Sequence, residues 1–331
     1  MRILYGVIIL AILSLTACSH VEEKSELTGS LLLKGKVGTH YDEVGLTDSY
    51  LVLLDRKNDT IIQVFKKDDL SYSHAFALKG YGATYFSNPE FMKSNFKVPS
   101  DKDEVWIVDN QLTFNRVWVE GDSLCFDRNY IQIPELVPST HYNVTTKEVY
   151  AVPIVRKNVF APFCYANEEE GSYWVDPPKE EKRYRACRNI AYLPNLCVNE
   201  RQGRVVAALR FFNRIDFYDL NGTFEKSFTY GDESFVPSLT ADGKEVDILG
   251  SIKCFIDIFG TDRYVYCLYD GTVDFSATST LLIFTWDGEL KKTLRLDRSV
   301  KRMAVDTSDR FLVALSQGEN DVCDVIKYEI E

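Results

Sequence analysis

Two stretches of this chain are near copies of one another. Asp262-Arg-Tyr-Val-Tyr-Cys-Leu268 is matched about 47 residues later by Asp309-Arg-Phe-Leu-Val-Ala-Leu315. In each, a charged turn drops into a run that is β-branched or aromatic on both faces. Related runs stand at Asp48-Ser-Tyr-Leu-Val-Leu-Leu54, Asp103-Glu-Val-Trp-Ile-Val108, Thr146-Lys-Glu-Val-Tyr-Ala-Val152 and Gln202-Gly-Arg-Val-Val-Ala-Ala-Leu209. A period of roughly 50 residues built from short strands marks a radial repeat. The pattern predicts an all-β fold: a six-bladed β-propeller of four-stranded antiparallel blades, with the repeated run as the second strand from the centre.

A chain of 331 residues fits one such ring, because each blade buries both faces against its neighbours. Aromatic residues make up 13%, which suits sheets packed face to face. The formal charge of −11 argues against a nucleic-acid partner, which would need a basic stripe.

Residues 1–17 read as a signal peptide. Arg2 gives the positive start, and Ile3 to Leu15 form an apolar core too short for a typical membrane span. Leu15-Thr16-Ala17-Cys18 resembles the bacterial lipobox, with small residues before the cut and a thiol, Cys18, to carry the lipid. Residues 18–30 read as a polar tether and 31–331 as the propeller. Ser19 is not the Asp that retains some lipoproteins at the inner membrane, so an outer-membrane lipoprotein is expected. Periplasmic and surface-facing orientations both stay open.

Seven cysteines follow Cys18, an odd number that cannot all pair internally. Cys125, Cys254, Cys267 and Cys323 read as small buried hydrophobes. Cys187 and Cys197 flank a loop and are the candidate disulfide for an oxidising compartment.

Blade four is the clearest: Arg204–Leu209, Ile215–Tyr218 and Thr223–Phe228, with Asn221-Gly222 supplying the positive φ of a tight hairpin. Blade five repeats it with Leu281–Phe284, Gly288 and Leu290–Leu296. Aligning the two glycines superposes Tyr218 on Phe284, Phe224 on Leu290 and Lys226 on Lys292. Blade three is the least regular, because Asn167–Gly171 and Pro177–Lys182 read as protruding loops. Blade six lacks a strand, which Leu31–Lys36 can supply by pairing antiparallel to Val322–Ile330. That closure hides both open sheet edges.

The hairpins Ile215–Gly222 and Ile283–Gly288, with the tail Leu294–Asp306, resemble the TolB-like six-bladed propeller lipoproteins of Bacteroidetes. That family often carries a G-x-G-P-x-E-F block after its first blade; here Gly80-Tyr-Gly82 is followed after a longer gap by Pro89-Glu90-Phe91. The resemblance covers nearly all of residues 31–331 and implies a fold, not a chemistry.

Catalytic signatures are lacking. Gly121-Asp-Ser-Leu124 spells a lipase block, but no Asp-x-x-His follows, and Gly121 aligns with the hairpin glycines, so it reads as a turn. His40, His74 and His141 lie in three separate stretches without metal-ligand spacing. Asp109, Asp257 and Asp306, near strand ends, are the candidates for holding Ca²⁺ or Mg²⁺ in the central channel; no other cofactor is expected. Tyr269 and Asp270, at the start of a long connection, join Tyr173 and Trp174 of the blade-three insert as the candidate binding rim. The reading is a monomeric, non-enzymatic, lipid-anchored module that binds an envelope protein or glycan. The alternative is a propeller hydrolase or lactonase with an axial divalent metal.

Overall fold

The structure is a computed structural model that describes residues 25–36, 39–80, 85–93, 102–109, 113–121, 123–128, 139–153, 161–167, 171–232, 234–317 and 322–331. The leader and Cys18, together with Gly82 and Asp122, lie outside the described residues.

Six sheets of four or five strands, antiparallel but for one added pairing in blades one and five, follow one another along the chain. Their first strands are Glu43–Leu46, Glu90–Phe91, Ser139–Val144, Pro194–Asn199, Lys253–Gly260 and Arg302–Val305. Neighbouring first strands pack around a common axis, with the first strand of blade six returning against that of blade one. The second strands, Tyr50–Leu54, Glu104–Asp109, Val149–Pro153, Arg204–Leu209, Tyr264–Thr272 and Phe311–Gln317, are the six repeated runs. Apolar residues on both faces of these strands fill the gaps between blades. Val52, Ile62 and Val117 meet between blades one and two, and Val206, Cys267 and Phe284 between blades four and five.

Ring closure follows the sequence expectation. Ser30–Leu33 runs antiparallel to Cys323–Glu329, with Leu31 opposite Ile326. Pairing ends at Leu33, but the Gly35 N–H still donates to Asp324 Oδ1 at 2.8 Å. The chain joins the ring earlier than expected. Ser25–Leu27, inside the stretch read as tether, adds a fifth strand parallel to Leu290–Leu296 of blade five.

The aligned hairpins match residue for residue. Gly222 and Gly288 take φ of 74° and 71°. Each is flanked by the same register shift, pairing Phe217 with Lys226 and Tyr218 with Phe224, then Ile283 with Lys292 and Phe284 with Leu290. Gly121 is likewise a turn with φ of 62°, and Ser123 begins a strand.

The acidic residues near the start of the second strands form a bracelet between blades. Asp103 accepts from Thr47 Oγ1 and the Ser49 N–H, Glu200 from the Thr146 N–H, and Asp262 pairs with Arg201 at 3.0 Å. Asp309 takes Arg263 and the Tyr266 hydroxyl at 2.8 Å each, and Asp48 takes Thr307. Each contact ties one blade's turn to the next blade's acid.

Two sequence expectations are corrected. Blade three is completed on either side of the Glu-rich tract: Phe163–Asn167 and Gly171–Val175 are its third and fourth strands, with Asn167 opposite Gly171. The β-prone run Ser172-Tyr-Trp-Val175 outweighs the polar residues before it. Cys187 and Cys197 are both free thiols. Cys187 packs with Tyr184, Tyr192 and Phe212, whereas Cys197, in the innermost strand of blade four, faces blade five.

That blade-four to blade-five interface depends on Gly260. A Cβ there would press on Cys197 Sγ and stand 2.9 Å from the Trp286 ring. Gly260→Ala is therefore expected to lower stability by about 1–3 kcal/mol. Adding Cys197→Ala should recover part of that loss, as urea unfolding of the four forms in a double-mutant cycle will show.

Candidate functional site

Each first strand begins at the same end of the channel, here called the mouth. Sequence alone gives these strands apolar bodies, yet several start with a charge: Glu43-Val-Gly-Leu46, Lys253 before Cys-Phe-Ile256, and Arg302-Met-Ala-Val305. The ring brings these separated charges together.

Lys93 is the centre of the resulting network. It follows the short first strand of blade two and is 5% exposed. Its ammonium donates to Glu43 Oε2 of blade one at 2.8 Å and lies 3.2 Å from Asp257 Oδ1 of blade five. Arg302 of blade six donates from Nε to the other Glu43 oxygen at 2.9 Å. The second oxygen of Asp257 accepts the Met303 N–H at 2.9 Å. One buried cluster thus fastens blades one, two, five and six across the axis.

Burial alone would raise the Glu43 carboxyl, but Lys93 and Arg302 reverse this and hold it at about 2. Burial opposes the Lys93 charge as well, yet Asp257 and Glu43 keep its pKa above the ordinary lysine value. His141, on the first strand of blade three, is pushed down to about 3 by burial and by Lys93 and Arg302. Its imidazole is therefore neutral at physiological pH.

A cavity of about 390 Å³ lies between blades six and one, and Arg302 of the cluster forms part of its wall. His40, Tyr41, Asp42, Arg56, Arg302 and Gln317 line it. Arg56 reaches Glu90 at 3.2 Å and Asp42 at 3.5 Å, which brings the Pro89-Glu90-Phe91 block to the mouth.

The residues expected to form a binding rim are not brought together as one. Tyr173 and Trp174, 41% and 40% exposed, lie on the outermost strand of blade three, where Tyr173 stacks on Tyr165. Tyr269 and Asp270 belong to the second strand of blade five, which runs on to Thr272 instead of stopping before them. Tyr269 is buried against Tyr230 and Phe255. Asp270 is also buried and accepts from the Thr272 N–H at 2.8 Å.

The candidate metal carboxylates are similarly separated. Asp257 is held by Lys93; Asp306 accepts from Lys67 at 3.1 Å; Asp109 accepts from the Ser87 and Asn88 N–H groups. Among the described residues, no group of three or more His, Cys, Asp or Glu is arranged to hold a metal ion. Among the described histidines, His141 lies within electrostatic reach of the axial cluster. His40 lines the mouth cavity, and His74 pairs with Ser73 on the fourth strand of blade one.

Glu43, Lys93 and Arg302 were not singled out from sequence. The available signal was a charge of alternating sign opening an apolar four-residue strand at equivalent places in blades one and six. Such a charge needs a partner when the strand is buried.

Six four-stranded blades around a charged axis define a six-bladed β-propeller. The family model described as TolB-like 6-blade propeller-like matches residues 20–308, and the chain belongs to that family. Among solved structures it is similar to a member of the DUF4221 family from Bacteroides vulgatus. The two share 11% identity with a TM-score of 0.58, covering 93% of this chain and 99% of the other. It is also similar to a Bacteroides fragilis protein predicted to be exported, at 13% identity and a TM-score of 0.55, covering 95% and 98%. At these identities the likeness concerns the fold. No curated protein matches the sequence.

Breaking the axial pair leaves a buried charge uncompensated. Lys93→Ala is expected to cost about 3–5 kcal/mol in denaturant unfolding. The Glu43 pKa is depressed on folding, so its contribution is complete above the unfolded value of roughly 4.3 and is lost as pH falls toward the folded one. The stability advantage of the native chain over Glu43→Gln should hold from pH 7 to near 5 and shrink steadily below, as unfolding midpoints across that range will report.

Proposed function

We propose that this chain is a lipid-anchored, non-enzymatic binding module of the cell envelope whose ligand, a protein or glycan, enters the channel mouth. The observation that carries this reading is the cavity between blades six and one, whose wall includes Arg302 of the axial ion-pair network. A cavity of this kind offers hydrogen-bonding groups on a rigid frame, the usual condition for a ligand site.

The axial carboxylates are already held by cations. That weighs against the hydrolase or lactonase reading, which needs carboxylates free to take a divalent metal. Burial raises the thiol pKa of Cys164, Cys254 and Cys323 to about 12, so none of these is an activated nucleophile. Support for an envelope location comes from the lipobox-like Leu15–Cys18, the apolar leader and the likeness to a Bacteroides protein predicted to be exported. Among the described residues no helix is long and apolar enough to cross a membrane.

Two measurements test the reading. Cells fed an alkyne-bearing fatty acid should label the native chain, and Cys18→Ala should abolish labelling and move the protein out of the membrane fraction. Affinity capture of the tagged lipoprotein from gently solubilised envelopes should recover one partner or glycan in near-stoichiometric amount. Repeated recovery of the bare chain would sink the binding role.

A further inference from the structure

The lining of the cavity between blades six and one runs against the charge of the chain as a whole. The chain has a formal charge of −11. Yet two basic pairs, Arg56-Lys57 and Lys301-Arg302, line this cavity against a single carboxylate, Asp42. Both pairs reach it from the mouth side. Arg56 and Lys57 sit on the turn after the second strand of blade one, and Arg302 opens the first strand of blade six. The blade-one turn is held firmly. The buried Asp55 carboxylate accepts the N–H groups of His40, Lys57 and Asn58 at 2.9, 3.1 and 3.2 Å, and Asp42 accepts the Arg56 N–H at 2.9 Å. A side-chain carboxylate that caps its own turn in this way fixes the backbone from which the basic side chains project.

Protein acids already engage the two arginines. Arg302 gives Nε to Glu43 and one Nη to the Lys301 carbonyl, at 2.9 Å each. Arg56 is shared between Glu90 and Asp42 at 3.2 and 3.5 Å. Glu43 and Glu90 stand behind these arginines and do not line the cavity. The lysines differ. Lys301 donates to the side-chain oxygen of Gln317, a neutral partner. The Lys57 ammonium makes no ion pair or hydrogen bond among the described residues. Two ammonium groups without a carboxylate therefore remain for a ligand, one on each side of the seam between blades one and six.

We propose that this cavity binds the phosphate monoester of a phosphorylated saccharide, with Lys57 and Lys301 as its charge partners. A planar carboxylate is matched best by a guanidinium fork, and both guanidinium groups here are engaged by protein acids. An ammonium is a compact point charge with three rotatable donors, which suits the rounded head of a phosphate. A phosphate monoester carries close to two negative charges at neutral pH, enough to meet both lysines at once. A bare phosphate fills only a small part of about 390 Å³, a volume on the scale of a small organic ligand. His40 and Tyr41 bring polar groups for sugar hydroxyls, and Leu315 and Val322 bring apolar surface for the C–H face of a ring.

This inference rests on the binding role proposed above and deepens it. The test is calorimetric titration of the full-length protein with glucose 6-phosphate, glucose, glucuronate and inorganic phosphate at constant ionic strength. Saturable binding of glucose 6-phosphate, at least about tenfold tighter than each of the other three, is expected. Lys57→Ala combined with Lys301→Ala should weaken it by about tenfold or more, and Lys57→Arg with Lys301→Arg, which keeps both charges, should retain most of it. Near-ultraviolet circular dichroism will establish that the variants are folded. Should the double alanine variant fail to fold, Lys57→Ala alone removes a side chain that bonds no described residue and should still weaken binding. Glucose 6-phosphate binding no tighter than glucose or glucuronate overturns the proposal. Equal binding of inorganic phosphate overturns it too, since the sugar then contributes nothing. So does an unchanged affinity in a folded lysine variant. A chain that captures an envelope partner yet ignores glucose 6-phosphate keeps the binding role and loses this inference; one that captures nothing and binds no sugar phosphate loses both.

Discussion

A single ammonium group holds the centre of this molecule together. Lys93 bonds a carboxylate from blade one and faces another from blade five, while Arg302 of blade six completes the first. A ring of sheets packed only by apolar surface can slide, because burial is not directional. Charge pairs inside a low-dielectric axis are directional, and leaving one unmade is costly. The cluster sets the relative rotation of four blades, and the apolar contacts fill in around that frame. On the opposite face, the bracelet of Asp48, Asp103, Glu200, Asp262 and Asp309 does the same from one blade to the next.

Much of the fold was legible because strands have a short period and the repeat displays it six times. The second strands, the matched hairpins at Gly222 and Gly288, and closure by the N-terminal run are local patterns, and each is found where the pattern placed it. The same acids that helped to define the repeat turn out to bind neighbouring blades, which period alone does not reveal. Blade three misled because a Glu-rich, Pro-rich surrounding masked a good outer strand at Gly171–Val175.

The candidate site was far less legible. Glu43, Lys93 and Arg302 are remote in sequence, and only ring closure makes them neighbours. Tyr269 and Asp270 were read as the start of a long connection; in the structure Gly271 takes φ of 83° while the strand continues to Thr272. Tyr173 and Trp174, read as part of an insert at the rim, lie on the outer strand of blade three. Aromatic side chains in a propeller more often pack between sheets than face a ligand, so their presence says little about where a site lies.

The parallel pairing of Ser25–Leu27 with Leu294–Leu296 fixes the direction in which the chain enters the ring. The partner strand ends at Leu296 and leads through Asp297–Lys301 to Arg302 at the mouth, so Ser25–Leu27 also runs toward the mouth from the opposite face. A pull on the chain from the N-terminal side would act along these strands, loading their hydrogen bonds together in shear instead of peeling them one at a time. The load would be shared by blades five and six, because Ser30–Leu33 follows at once into the closing sheet. The N-terminal strands thus stitch blades five and six together at the seam where the ring closes.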